Sequence, residues 1–381
     1  MKIKKRVQII TIMMLILALF VTACAGNTGK DPKESGKLKP GDAGYVPAAQ
    51  DVADQGYDFY DKAQTYDEVV EALGPIPIPE KEYELGFVCK AFENEFWRMI
   101  KDGSEDAVVE LAELGIKVKM DVNAAQGESD ESGQLAIMND MVNKKYAGIL
   151  TSPISDGNLL PAVERALEND IEMVVVNSTF MADIDTTVGA WHWRAGEFAA
   201  KWINDKIGGE GKVAIITGMP KSNSARSRTD AFVKWFEENS PNVEIVDIQN
   251  GDWDRMKAKE ITDTWMKSIP DLQGIYANND TMAMGSIEAV ISANRLGECY
   301  VVGTDGTSEA IESIREGELS ATVNSYPYYL AKIGVEMLIR KLEGQEVPKV
   351  IYTPQVVIDI DNVHLSDDEL VNWKGFNVAK R

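Results

Sequence analysis

Beyond Glu82 the chain alternates between short apolar runs and longer stretches with one apolar face. "YELGFVC" reads as a buried strand, and "NEFWRMIKDGSEDAVVELAELG" as a helix whose Phe96, Ile100, Ala107, Leu111 and Leu114 share a face. Strand "IKVKMDV", helix "GQLAIMNDMVNKK", strand "AGILT", helix "NLLPAVERALEND" and strand "IEMVVVN" follow. The alternation resumes through "GEFAAKWINDKI", "KVAIITG", "SRTDAFVKWFEEN", "VEIVDI", "RMKAKEITDTWMKSI", "GIYANND" and "CYVVGTDG", and closes with strand "LSATVN" and helix "YYLAKIGVEMLIRKL". Strands of about five apolar residues, each handing over to a helix, predict parallel sheets covered on both faces. So many units exceed one comfortable sheet, and the pattern predicts an α/β protein of two doubly wound lobes.

Upstream the pattern changes. A cationic start, "MKIKKR", precedes the apolar "VQIITIMMLILALF" and then "VTACAG". The apolar run is shorter than the roughly 20 residues of a spanning helix and has the flanks of an export signal. Small residues leading to a cysteine resemble the lipobox of bacterial lipoproteins. That resemblance implies a signal peptide over residues 1–23 and lipidation of Cys24, with a plain secretory signal as the alternative. Several acyl chains together anchor stably, so the mature chain is expected to be lipid-anchored to the outer face of the cell membrane. Residues 24–80 read as a tether and weakly structured segment. "AGNTGKDPKESGKLKPGDAGYVPAAQ" has little to bury, residues 51–74 are weakly helical, and "GPIPIPEKEY" breaks any helix.

Charge narrows the function. Lys plus Arg total 39 against 61 Asp plus Glu, a formal charge of -22, and such a surface repels nucleic acid. Cys89 and Cys299 lie in apolar strand-like runs and read as buried thiols. There is no G-x-S-x-G elbow and no H-E-x-x-H. "GTDGTSEA" runs from strand to helix without a Walker lysine. His192 is one of two histidines and has no second ligand nearby. No catalytic residue, cofactor or metal is expected.

"YANNDTMAMG" places amides and a carboxylate where a buried strand meets a helix. Asp280 is suited to cap that helix. Strand ends of open α/β sheets also face a crevice, where such groups meet a ligand.

The blocks "GFVCKAFENEFWRMIKDGSEDA", "TGMPKSNSARSRTDAF", "GDWDRMKA", "YANNDTMAMG", "VVGTDGTSEA" and "GELSATVNSYPYYLAKIG" occur in that order. Together they resemble the type I periplasmic sugar-binding proteins of ABC importers, the ribose- and galactose-binding family, from about Glu82 to His364. The resemblance implies two Rossmann-like lobes joined by a three-strand hinge and closing around a monosaccharide or related polyol. It divides the chain into an N-terminal lobe of residues 81–190 plus 326–350, a C-terminal lobe of 191–325 plus 351–365, and a tail of 366–381. The implied partners are a small-molecule ligand, ABC permease subunits and, through the lipid, the membrane.

Carried over residue by residue, the resemblance puts Asn94, Phe96 and Trp97 at an asparagine and two stacking aromatics, though Phe96 equally fits its helix core. Arg228, Trp253, Asn279 and Asp305 fall on ligand positions, leaving Asp280 as the cap. The chain departs from the ribose type where Asn177 and Ser178 replace an Asp-Arg pair. It departs again where Trp191 and His192 stand at the crossover, as another stacking wall or a filled subsite. Lys90 is similar to a lysine in relatives that bind autoinducer-2 or deoxysugars; it meets a hydroxyl, a carboxylate or solvent. Ser325, with Asn324 beside it, falls where the family has Gln or Asn. Planar polar groups match sugar hydroxyls and aromatic rings cover the C–H faces. A sensor receptor of the same fold, signalling to a membrane kinase or chemoreceptor, is the alternative. A lac-repressor-type regulator would need a helix-turn-helix where the export signal and tether stand.

Overall fold

The computed structural model describes residues 64–177, 181 and 183–371. The export signal, Cys24, the tether up to residue 63, Ser178 and the tail beyond residue 371 lie outside the described residues. The first lobe opens with β1 (Gln64–Thr65), α1 (Tyr66–Leu73), β2 (Tyr83–Ala91), α2 (Glu95–Glu113), β3 (Val118–Ala125) and α3 (Glu131–Lys144). It continues with β4 (Gly148–Thr151), α4 (Leu160–Glu168), β5 (Glu172–Val176) and β6 (Thr187–Gly189). The second lobe runs from α5 (His192–Ile207) through β7 (Gly211–Thr217), α6 (Asn223–Asn239), β8 (Val243–Asn250), α7 (Arg255–Ser268) and β9 (Leu272–Ala277). Next come α8 (Asp280–Ser292), β10 (Tyr300–Asp305), α9 (Ser308–Arg315) and β11 (Ala321–Asn324). The chain then returns to the first lobe for α10 (Pro327–Leu342) and β12 (Val350–Tyr352), and crosses once more into β13 (Val356–Asp359), followed by α11 (Asp367–Val371).

The first sheet has the order β1-β12-β6-β5-β4-β2-β3 and is parallel throughout. The second has the order β13-β11-β10-β9-β7-β8, with only β13 antiparallel to its neighbour. After the edge strand β1, the first sheet winds from the inner strand β2 and the second from β7; each steps to one side, then reverses, which is the doubly wound order with a switch point beside that strand. This is the expected fold class. Strands buried on both faces follow from the covering helices: β4 is buried along its whole length, and so are the last four residues of β9. Cys89 and Cys299 are free and buried in different lobes, and burial pushes the Cys299 thiol up to about 12.

Three crossings join the lobes, after β6, β11 and β12. They are tied to one another. Trp191 stacks on Tyr352 with ring centroids 5.4 Å apart and planes 12° apart. Thr353 N–H donates to the Gly189 carbonyl at 3.2 Å, and Gln355 Nε2 to Ser325 Oγ at 3.5 Å. Tyr326 turns the second crossing with φ of 52°.

Three boundaries differ from the sequence expectation. β12 pairs with β6 in the first sheet, so the last crossing begins after Tyr352 and not after residue 350. Residues 64–73, placed by the sequence reading in the weakly helical part of the 24–80 segment outside the lobes, join the first lobe. Thr65 and Glu68 form a capping box at the start of α1, Tyr66 and Val69 are buried, and Tyr66 OH donates to the buried Glu336. In the segment read as a tail, α11 packs Leu370 against the second lobe's core.

Candidate functional site

Both switch points face each other across the cleft, and the residues at the strand ends meet there. Lys90 closes β2, Asn94, Phe96 and Trp97 open α2, and Asn177 follows β5. From the second lobe come Ser224 and Arg228 on α6, Trp253 after β8, Asn279 after β9 and Asp305 at the end of β10. With Glu128 these residues line one cavity. Its free volume is only about 30 Å³, far below the roughly 300–1,000 Å³ typical of small-molecule sites, so a sugar-sized guest needs the lobes to part.

Aromatic rings form part of its lining. Phe96 and Trp97 pack edge to face at 4.8 Å, with Trp97 Nε1 donating to Glu128 Oε1 at 2.8 Å. On the other side, Trp253 has φ of 65°, and its indole lies against the backbone of Gly218. A Cβ on Gly218 would sit 2.0 Å from Trp253 Cζ2, so only glycine lets the ring take this place. Gly196 acts likewise at the α5–α6 contact, where a Cβ would come within 2.2 Å of the Arg228 carbonyl oxygen. That close approach seats the helix carrying Arg228.

The polar groups are buried and incompletely satisfied. Arg228 Nη1 donates to the Asn278 carbonyl at 2.5 Å, Nη2 lies 3.4 Å from His192 Nδ1, and Nε has no hydrogen-bond partner. Burial holds the His192 imidazole well below its usual range, with Arg228 and Lys90 adding to the effect. The ring is therefore neutral, and its Nδ1 is the acceptor. Asn177, at φ of 48°, has a buried Oδ1 without a partner. Asp305 has φ of 141°; burial lifts its carboxyl well above the ordinary range, against the opposing pull of Arg228. Burial also lowers Lys90 and raises Glu128, each countered by the other's charge. Non-glycine residues in such backbone regions persist where the surroundings over-determine them, and they gather at binding sites.

The lobes are drawn together at the rim. Glu95 of α2 reaches the first turn of α9, accepting from Ser308 N at 3.0 Å and Glu309 N at 3.4 Å. Arg226 pairs with Asp156, and Lys221 with Glu131, both across the cleft. Outside the cavity a groove of about 950 Å³ runs between the lobes, and Asn94, Glu128 and Trp253 border both spaces. Among the described residues, no group of three or more His, Cys, Asp or Glu is placed to hold a metal ion. No helix among them is long and apolar enough to cross a membrane.

Of the residues named from the sequence, Lys90, Asn94, Phe96, Trp97, Asn177, Arg228, Trp253, Asn279 and Asp305 come together. Trp191 and Ser325 do not line this cavity; they belong to the crossings, where the Tyr352 stack and the Gln355 contact hold them. The cap of α8 is also reassigned. Asn279 Oδ1 accepts from Met282 N at 3.0 Å, so Asn279 both caps the helix and lines the cavity. Asp280 instead accepts from Gly306 N, Thr307 N and Thr322 Oγ1, pinning the loop that carries Asp305. Glu128 and Ser224 were missed. No periodicity marks Glu128, although "GESDES" after a strand has the composition of a strand-end loop.

Two lobes with matching switch points, enclosing a small cavity of amides, charges and indoles, define a hinged solute-binding protein. The chain belongs to the periplasmic binding protein family: the periplasmic binding protein domain matches residues 85–346. The D-allose-binding periplasmic protein of Escherichia coli is 34% identical over 275 residues, covering 70% of this chain and 86% of that one. The ribose import binding protein of Bacillus subtilis is 29% identical over 276 residues, covering 72% and 87%. A solved ABC transporter periplasmic solute-binding protein from Actinobacillus succinogenes, with bound D-allose, superimposes with a TM-score of 0.69 at 26% identity, over 74% of this chain and 99% of its own. Another from Agrobacterium vitis, with bound D-fucose, gives 0.68 at 27% identity, over 75% and 98%.

Proposed function

We propose that this protein is the extracytoplasmic capture subunit of an ABC importer, taking a neutral monosaccharide or closely related polyol into the interlobe cavity and presenting it to the permease. One observation carries the reading. Donors and acceptors from both lobes converge on one space lined by two indoles, and two of its buried polar atoms, Arg228 Nε and Asn177 Oδ1, have no partner. Hydroxyls both donate and accept, so a sugar satisfies such a mixture, and an analogue lacking a hydroxyl leaves buried groups unpaired. The lining also balances Lys90 and Arg228 against Glu128 and Asp305, which favours an uncharged guest. Relatives that bind allose, ribose and fucose support the same class.

The mechanism is differential affinity. Ligand contacts both lobes only when they are closed, so binding shifts the hinge equilibrium, and the protein returns the ligand when it opens. The guest's hydroxyls meet Lys90, Asn177, Arg228, Asn279 Nδ2 and Asp305, while Trp97 and Trp253 cover its apolar faces. Cys24, carrying lipid, holds the receptor at the outer face of the membrane. The protein performs no chemistry on its ligand.

A thermal-shift panel of D-allose, D-ribose, D-fucose and myo-inositol tests this. A ligand at a hundred times its Kd adds about 2.7 kcal/mol, a rise of several degrees in Tm, and closure over the indoles alters tryptophan emission. Absence of stabilisation by every member of such a panel, extended to other monosaccharides and polyols, overturns the reading.

A further inference from the structure

Glu128 sits in the loop between β3 and α3 and is only 9% exposed. Its Oε1 accepts from Trp97 Nε1 at 2.8 Å and from Asn94 Nδ2 at 3.2 Å. Its own N–H donates to Glu93 Oε1 at 3.3 Å. One carboxylate oxygen thus ties this loop to the first turn of α2, and two donors occupy both of its lone pairs. Trp97 is buried, with Phe96 against its ring and Lys90 Nζ 5.5 Å from its centroid. Packing alone restrains an indole by shape, whereas a fixed acceptor at its N–H also sets the direction in which the face points. Binding sites depend on such support, because a wall turned by a few tens of degrees no longer lies flat on its guest.

We propose that Glu128, besides lining the cavity, is a positioning residue that sets the face Trp97 presents to a captured sugar, acting through the indole N–H. The proposal rests on the sugar-capture reading and adds to it a positioning role for one residue of the lining. Trp97 is the recognition surface; Glu128 is what gives it a fixed orientation. A glutamine there retains an oxygen acceptor for the indole, and an alanine does not.

The test begins with the wild-type protein and whichever of D-allose, D-ribose, D-fucose or myo-inositol stabilises it most. Glu128→Ala is expected to weaken that binding about tenfold, and Glu128→Gln by no more than about threefold. In a Trp97→Phe background Glu128→Ala is expected to cause no further loss, because both changes remove one shared interaction. In the ligand-free protein, the Trp97 indole N–H NMR resonance, identified by its disappearance in Trp97→Phe, moves in Glu128→Ala and stays near its place in Glu128→Gln. Independent, multiplying losses in the double variant overturn the proposal, as does a Glu128→Gln variant as weak as Glu128→Ala. An unmoved indole resonance in Glu128→Ala overturns it whether or not a sugar binds. Failure of the wild-type protein to bind any sugar removes the capture reading itself, a separate outcome.

Discussion

Arg228 Nη1 lies 3.6 Å from Asp305 Oδ1, with both side chains almost completely buried. Neither partner is saturated by the other. The guanidinium spends its short hydrogen bond on the Asn278 carbonyl, and burial pulls the Asp305 carboxyl towards its protonated form. A hydroxyl placed between them accepts from Arg228 in a charge-assisted bond and makes a second bond to the Asp305 carboxyl. Asp305→Ala is therefore expected to weaken ligand binding by about 2–3 kcal/mol, on the order of a hundredfold, as read by calorimetry. Asp305→Asn should fall between this variant and the wild type. An alanine variant that binds within a few-fold of wild type would remove Asp305 from the site.

Glu95 gives a second prediction, about kinetics. Its carboxylate accepts from two N–H groups at the start of α9 in the opposite lobe, a contact that exists only while the lobes are together. Glu95→Ala should raise the ligand dissociation rate by roughly two- to tenfold. It should not change which sugars are preferred, because it alters only the balance between open and closed states. Stopped-flow release measured across the panel checks both parts, and a change in rank order would contradict the assignment.

Gly218 tests the wall in the second lobe. A methyl group there meets the Trp253 ring at 2.0 Å and forces the indole aside. Gly218→Ala should cost at least about tenfold in affinity while lowering stability by about 1–3 kcal/mol. Calorimetry paired with denaturant unfolding separates the two, and unchanged affinity would mean that Trp253 does not touch the ligand.

Asp230 predicts a pH effect on stability. Burial lifts its carboxyl from an ordinary value of 3.8 to about 8, Arg226 opposing, and its Oδ2 has no hydrogen-bond partner. Between those values the folded protein holds a proton that the unfolded chain has released. This contribution to stability is complete below about pH 4 and is lost as pH rises through about 8. Asp230→Asn should remove it, raising Tm above wild type near pH 8 by several degrees and flattening the Tm profile between pH 4 and 8. Parallel profiles for the two proteins would refute the assignment.

Strand and helix order was readable from the sequence because each element carries one dominant signal, apolar run or apolar face. Lys90, Asn177 and Asp305 were readable for a related reason: each stands where such a run stops, and the fold sends every such stop to the same crevice. Trp191 and Ser325 misled because a crossing also ends a strand, and nothing local distinguishes a side chain that turns to the ligand from one that turns to a neighbouring crossing. Tyr352, the ring that stacks on Trp191, is 161 residues away in the chain. The Asn279–Asp280 assignment reversed for a similar reason. Either side chain can cap α8, but only Asp280 is reached by Gly306, Thr307 and Thr322, partners on other elements. Residues 64–73 were under-read. "TYDE" carries a capping box, yet an eight-residue helix is stable only against the lobe it covers.

That short segment has a mechanical consequence. β1 adds to the edge of the first sheet, and the carbonyl of Gly74 accepts from Arg340 Nη2 at 2.9 Å. Whatever pulls on the chain upstream of Gln64 therefore loads the first lobe directly. The second lobe, joined to the first along the chain by the three crossings and held at the rim by contacts such as Glu95 with Ser308, is the arm left to swing when those contacts part.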